Sequence, residues 1–208
     1  MKKLEYGRSM VEMLGVLAII GVLSVGAIAG YQKAMFKMKL NRLISGVYHL
    51  VNNIDLILSH NDHEISKNLI EVAVKMNLIP DGFSIDDTDS SSLRIIHPYK
   101  GSLYMNMSIT NSGKTYMAVS VKDIPYEVCI NYLTSAKFNL DNLSYYGVKN
   151  TNEIISDFGE HAIFYKAINH NQLGDKNRIY ELCNTYCTQE TGQKSNCTIV
   201  MDYALSNY

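Results

Sequence analysis

Between Glu12 and Lys33 there is no charged side chain, and the heart of that stretch, MLGVLAIIGVLSVGAIAG from Met13 to Gly30, is 18 apolar or small residues long. A helix of about 20 such residues rises about 30 Å, the hydrocarbon thickness of a bilayer. A helix that is apolar on every side has to be buried, either in a core or in lipid. A secretory signal peptide is the competing reading, but its apolar core runs to about 7 to 15 residues. Here the small residues Gly26, Ala27, Ala29 and Gly30 continue into a helical pattern with no Pro or turn. The segment therefore reads as a membrane-spanning helix.

Its orientation needs a second signal. Lys2, Lys3 and Arg8 precede the span, while Lys33, Lys37, Lys39 and Arg42 follow it, so the positive-inside tendency alone does not choose. The four cysteines, Cys129, Cys183, Cys187 and Cys197, lie in the distal part without paired C-x-x-C knuckles. They read as disulfides of an oxidising compartment, which leaves the N-terminus in the cytoplasm. Nineteen basic against twenty acidic residues give a formal charge of −1, so no basic excess exists to bind nucleic acid.

Enzyme motifs are missing. There is no G-x-S-x-G, Walker loop, H-E-x-x-H or dinucleotide fingerprint, so neither catalysis nor a cofactor is expected. His60 and His63 stand beside Asp62 and Glu64, residue types that hold metals, but all four fall in a polar turn where solvated side chains are the plainer reading. No metal is assigned. His97, His161 and His170 have no partner identifiable from spacing.

Glu12 is the anomaly. A carboxylate in an apolar helix costs roughly 2.5 to 3.5 kcal/mol at mid-span and less near the interface. The plain reading puts it at headgroup depth by the positive end of the helix dipole, worth about 0.3 to 1 kcal/mol. The residues around it supply another. K-K-L-E-Y-G-R-S-M-V-E, followed by the apolar run, joins a short basic leader ending in Gly7 to a Glu at the fifth position counted from Arg8. This arrangement resembles the N-terminus of type IV prepilins, most of all the type IVb pilins. Arg8 stands where the first mature residue is usually Phe, and Ala29 where many members carry a helix-bending Pro, which implies a straighter helix.

The resemblance implies cleavage after Gly7 by a prepilin peptidase, methylation of the new amine on Arg8, and assembly through Glu12. It implies as partners the inner membrane before assembly, the pilus assembly machinery and identical subunits in a helical filament. P-Y-E-V-C around Cys129 and R-I-Y-E-L-C around Cys183 are also similar to the contexts of the family's two cysteines. Four cysteines allow three pairings; the resemblance favours Cys129 with Cys183 and Cys187 with Cys197. A minor pilin or a secretion-system pseudopilin shares such an N-terminus. A single-pass anchored binding or sensor protein, with Glu12 merely interfacial, is the rival from another class.

Beyond the span the helical period persists. Leu40, Leu43, Ile44, Val47, Leu50, Val51, Ile54, Ile57 and Leu58 follow i, i+3, i+4, i+7 spacing, which predicts one helix from about residue 9 to 59 with an amphipathic second half. Residues 64–76 read as a shorter helix and 83–92 as a solvated loop. Strands are expected at 93–97, 103–109 and 116–121, separated by Pro98-Tyr99-Lys100-Gly101 and Asn111-Ser112-Gly113-Lys114, a pattern that favours an antiparallel meander. Pro125 opens a helix reaching about residue 136, another spans 175–186, and a last strand covers 198–204; residues 137–174 carry no clear pattern. The expected class is α+β, a long N-terminal helix packed on an antiparallel sheet with flanking helices. The expected divisions are a leader at 1–7, the spanning half of the helix at 8–31, its amphipathic half at 32–60 and a globular domain at 61–208.

Overall fold

A computed structural model describes residues 10–60, 68–88, 93–109, 115–135, 143–150, 168–169, 175–189 and 191–205. The chain divides into two compact units, Met1–Lys39 and Leu40–Tyr208. Helix α1 (Met10–His60) begins in the first and ends in the second.

In the second unit the apolar spacing of α1 becomes burial. Leu43, Ile44, Val47, Leu50, Val51, Ile54 and Leu58 are all at most 5 % exposed, one stripe at helical period facing the core. Helix α2 (Leu69–Lys75) starts where Asn68 accepts the Ile70 N–H at 3.1 Å, and buries Leu69, Ile70 and Ala73. The expected helix at 64–76 thus begins, within the described residues, at Leu69; residues 64–67 lie outside them.

Seven strands among the described residues form one antiparallel sheet: β1 (Ser84–Asp86), β2 (Arg94–Ile96), β3 (Ser102–Ile109), β4 (Thr115–Pro125), β5 (Leu143–Asn150), β6 (Ile168–Asn169) and β7 (Asn196–Ala204). Their order is β1-β2-β3-β4-β7-β5-β6, so the C-terminal strand enters the middle of the sheet. The expected meander is β2-β3-β4. The solvated loop at 83–92 needs correction: Ser84–Asp86 is an edge strand in register with β2, and Asp86 is paired with Arg94 across it at 3.1 Å. The unassigned stretch at 137–174 holds β5, which pairs with β7 from Leu143↔Tyr203 to Asn150↔Cys197.

Two more helices flank the sheet. Pro125 caps α3 (Tyr126–Thr134), tolerated there because a first-turn amide has no intrahelical partner. Asp175 caps α4 (Lys176–Tyr186), accepting the N–H groups of Asn177 and Arg178. The Tyr132 hydroxyl of α3 donates to Met201 Sδ at 3.7 Å, which places α3 on the sheet face carrying Ile199, Met201 and Tyr203. The opposite face is closed too: Ala118, Ser120, Lys149 and Thr198 are at most 2 % exposed.

Candidate functional site

The first candidate is the N-terminal half of α1. Its large apolar residues stand out at successive positions round the helix, with Met10, Val11, Val22 and Val25 each at least 70 % exposed. This is the one described helix long and apolar enough to cross a membrane. Ser24, its polar interruption, donates to the Ile20 carbonyl at 2.7 Å and so needs no outside partner. A Cβ added at Gly15, Gly21, Gly26 or Gly30 would meet nothing within 4 Å, leaving notches on the helix surface. Such notches let a second helix approach closely. Glu12 lies in the first turn of α1, exposed, where the helix dipole is positive. Gly7 and Arg8 are outside the described residues.

The second candidate is a sulfur-bridged corner of the distal unit. Cys129 of α3 is bonded to Cys183 of α4, and Cys187, the C-cap of α4, is bonded to Cys197 of β7. All four are buried. The corner is closed by a polar loop from Thr188 to Asn196. In it the Ser195 N–H donates to the Cys187 carbonyl at 2.9 Å and the Gln189 N–H to the Gln193 carbonyl at 2.8 Å. Gly192 takes the turn at φ +79°, a backbone region that favours glycine. Lys194 secures the loop from outside. Its ammonium donates to Thr188 Oγ1 at 3.2 Å and to Asn184 Oδ1, and lies 3.9 Å from the Tyr126 ring centroid.

His97, for which spacing gave no partner, has two. Its Nδ1 accepts the Tyr99 N–H at 3.2 Å, which fixes the tautomer, so Nε2–H donates to the Lys122 carbonyl at 2.7 Å. Burial holds its pKa down, against the opposing pull of that hydrogen bond and of Asp123. Gly101 is required beside it, because a Cβ there would strike both the Lys122 carbonyl and the ring. Asp123 itself has φ +59°, at the irregularity where β4 shifts register against β7. His63, Asp62, Glu64, His161 and His170 lie outside the described residues.

Nothing in the sequence pointed to the polar groups inside the sheet. Lys149 stands opposite Thr198, and Asp202 opposite Ala118 and Tyr145, on the face away from α3. Burial raises the Asp202 pKa to about 6. Ser120 Oγ and Thr198 Oγ1 are buried without a hydrogen-bond partner. On the α3 face, burial drives the phenols of Tyr132 and Tyr203 up, and both hydroxyls donate to Met201 Sδ.

The fold as a whole is similar to that of a solved structure. The crystal structure of the type IVb pilin from Salmonella typhi superposes with a TM-score of 0.51 at 11% sequence identity, covering 80% of this chain and 98% of that one. The chain has the type IVb pilin fold. A scan against protein-family models and a comparison with curated proteins found no match. At this identity the pilin likeness is a likeness of fold, and roles for single residues have to come from their own chemistry.

Proposed function

We propose that this chain is the structural subunit of a type IVb-like pilus. It is made as an inner-membrane precursor with its N-terminus in the cytoplasm and is cut after Gly7 by a prepilin peptidase. It is methylated on the Arg8 amine and then built by the assembly machinery, with identical subunits, into a surface filament. The observation that carries the reading is the pilin fold joined to a helix whose first half exposes apolar side chains all round. A filament supplies what that half of α1 needs once it leaves lipid, namely other copies of the same apolar surface.

Glu12 gives the assembly its register. Cleavage after Gly7 frees an amine on Arg8, and in a filament the amine of a neighbouring subunit pairs with the Glu12 carboxylate. An apolar helix slides against its neighbours at little cost, but a buried charge left without its partner costs several kcal/mol, so one stagger is selected. The pair contributes specificity of stagger more than net stability.

Mass spectrometry of the chain from membranes and from sheared surface filaments tests the reading. The filament form is expected to lack residues 1–7 and to carry one added methyl group at its N-terminus. A chain that keeps Met1 in the membrane and is absent from surface filaments overturns it in favour of an anchored binding protein.

A further inference from the structure

Three sulfur atoms crowd together in the distal unit, yet only two of them are bonded to each other. The Sγ atoms of Cys129, Cys183 and Cys187 all lie within 4.8 Å of one another, and all three residues are buried. Cys129 is bonded to Cys183, while Cys187 is bonded to Cys197. Local geometry builds this closeness. Cys183 and Cys187 are four residues apart at the end of α4 and so share one helix face, with the Cys187 N–H donating to the Cys183 carbonyl at 2.9 Å. Cys129 meets that face from α3.

A thiolate that reaches a disulfide displaces one of its sulfurs. We infer that Cys183 and Cys187 are interchangeable partners of Cys129, and that the bond to Cys197 is what fixes the choice between them. When Cys187 is free of Cys197, its thiolate attacks Cys129 Sγ. The Cys129–Cys187 bond forms, the Cys129–Cys183 bond breaks, and Cys183 leaves as a thiolate that takes up the proton Cys187 gave up. One disulfide is present before and after, so no oxidant or reductant enters.

In the closed arrangement Cys187 Sγ lies beside the Cys129–Cys183 bond, within 4.8 Å of both its sulfurs. Rotation about Cα–Cβ, open once the link to Cys197 is gone, carries it into line for attack. A cysteine thiol of ordinary pKa, about 8.5, is mostly protonated at neutral pH, so exchange quickens as pH rises and the thiolate fraction grows. Oxidation of Cys187 and Cys197 to their disulfide, with the two electrons passing to a disulfide oxidant of the oxidising compartment, removes the attacking group. The short bond thereby locks the long one, and a chain that first forms Cys129–Cys187 corrects itself without a catalyst.

The test uses the full-length Cys197→Ser variant in detergent, held at a series of pH values and then unfolded in excess N-ethylmaleimide. Chymotryptic cleavage after Tyr186 separates Cys183 from Cys187 for mass spectrometry. Label on both Cys183 and Cys187, a Cys129–Cys187 linked peptide, and faster exchange at higher pH are expected. Label confined to Cys187 at every pH overturns the inference. The Cys187→Ser variant leaves its thiol on Cys197, outside the cluster, and should keep the label there; spreading to Cys129 or Cys183 would show that exchange needs no cluster and overturns it equally. If Cys197→Ser fails to fold, the wild-type chain is treated with limiting dithiothreitol and trapped. Cys129–Cys187 among its one-disulfide species supports the exchange, and Cys129–Cys183 as the sole long-range link refutes it.

Discussion

Asp202 sits on β7 between Ala118 of β4 and Tyr145 of β5, and burial raises its carboxyl from the usual 3.8 to about 6. The folded state therefore favours the protonated acid. A raised folded pKa contributes stability that is fully present below the unfolded value and is lost as pH rises through the folded one. The loss falls between about pH 4 and pH 6. With the pKa moved from 3.8 to about 6, and each unit worth about 1.4 kcal/mol, the folded chain is about 3 kcal/mol less stable at neutral pH than in mild acid on this account. That is a large share of the 5 to about 15 kcal/mol that holds an ordinary domain together.

Asp202→Asn keeps the shape and deletes the titration. The amide has its own burial cost, but that cost does not change with pH. The informative quantity is the stability difference between variant and wild type, followed from about pH 4 to about pH 7.5. Urea unfolding of the full-length chain in detergent measures it, with near-UV circular dichroism of the fifteen tyrosines as the probe, since the chain has no tryptophan. The difference should move in favour of the variant by about 2.5 kcal/mol as pH rises across that range, the remainder of the loss having occurred below about pH 4. A constant difference, or one that moves the other way, would refute the argument that burial of this carboxylate destabilises the sheet.

His97 should show the opposite slope: its lowered pKa contributes stability that is present above the unfolded value near 6.5 and lost as pH falls toward the folded one, because protonating Nδ1 turns an acceptor against the Tyr99 N–H. His97→Gln should flatten stability below about pH 6.5, and an exchange protection factor at the Tyr99 amide that does not fall with pH in the wild type would count against this hydrogen bond's role. The loop-entropy estimate gives about 4 kcal/mol for Cys129–Cys183, closed over a separation of 54, and about 3 kcal/mol for Cys187–Cys197, over 10. Urea unfolding of the two double-Ser variants should rank them in that order, and the reverse order would show that native packing rather than loop length decides. Glu12→Gln should leave leader cleavage and domain folding intact while filament yield per processed subunit falls sharply, with Glu12→Asp intermediate; undiminished yield for the Gln variant would sink the pairing mechanism.

What could be read from sequence follows the range of the forces involved. Helix α1 was legible because an uncharged run and a stripe from Leu40 to Leu58 are both local patterns, and α3 and α4 because Pro125 and Asp175 mark their starts. Strands β2 to β4 alternate between turns that announce themselves. Strand β1 was hidden by its own carboxylate: Asp86 reads as loop until Arg94 neutralises it across the β1–β2 pair. Strand β5 was hidden for a different reason. LSYYGVKN has no clean alternation, the neighbours Val148 and Lys149 on opposite faces are both buried, and nothing near Lys149 in sequence says that its side chain is 0% exposed.

The two candidate sites divide along the same line. Glu12 and its apolar helix form a pattern within some 20 residues, and chain order alone puts a costly charge at the start of a lipid-length segment. The cysteines offer no such pattern, because Cys183 and Cys187 lie on one face of α4 and either reaches toward Cys129. What separates them is the sheet. Strand β7 returns between β4 and β5, and its register sets Cys197 opposite Ile124, next to the residue that caps α3, while Cys129 sits one turn inside that helix. From there Cys197 takes Cys187, and Cys129 is left to Cys183. The pairing is a consequence of strand order, a property that exists only once the last strand has entered the middle of the sheet.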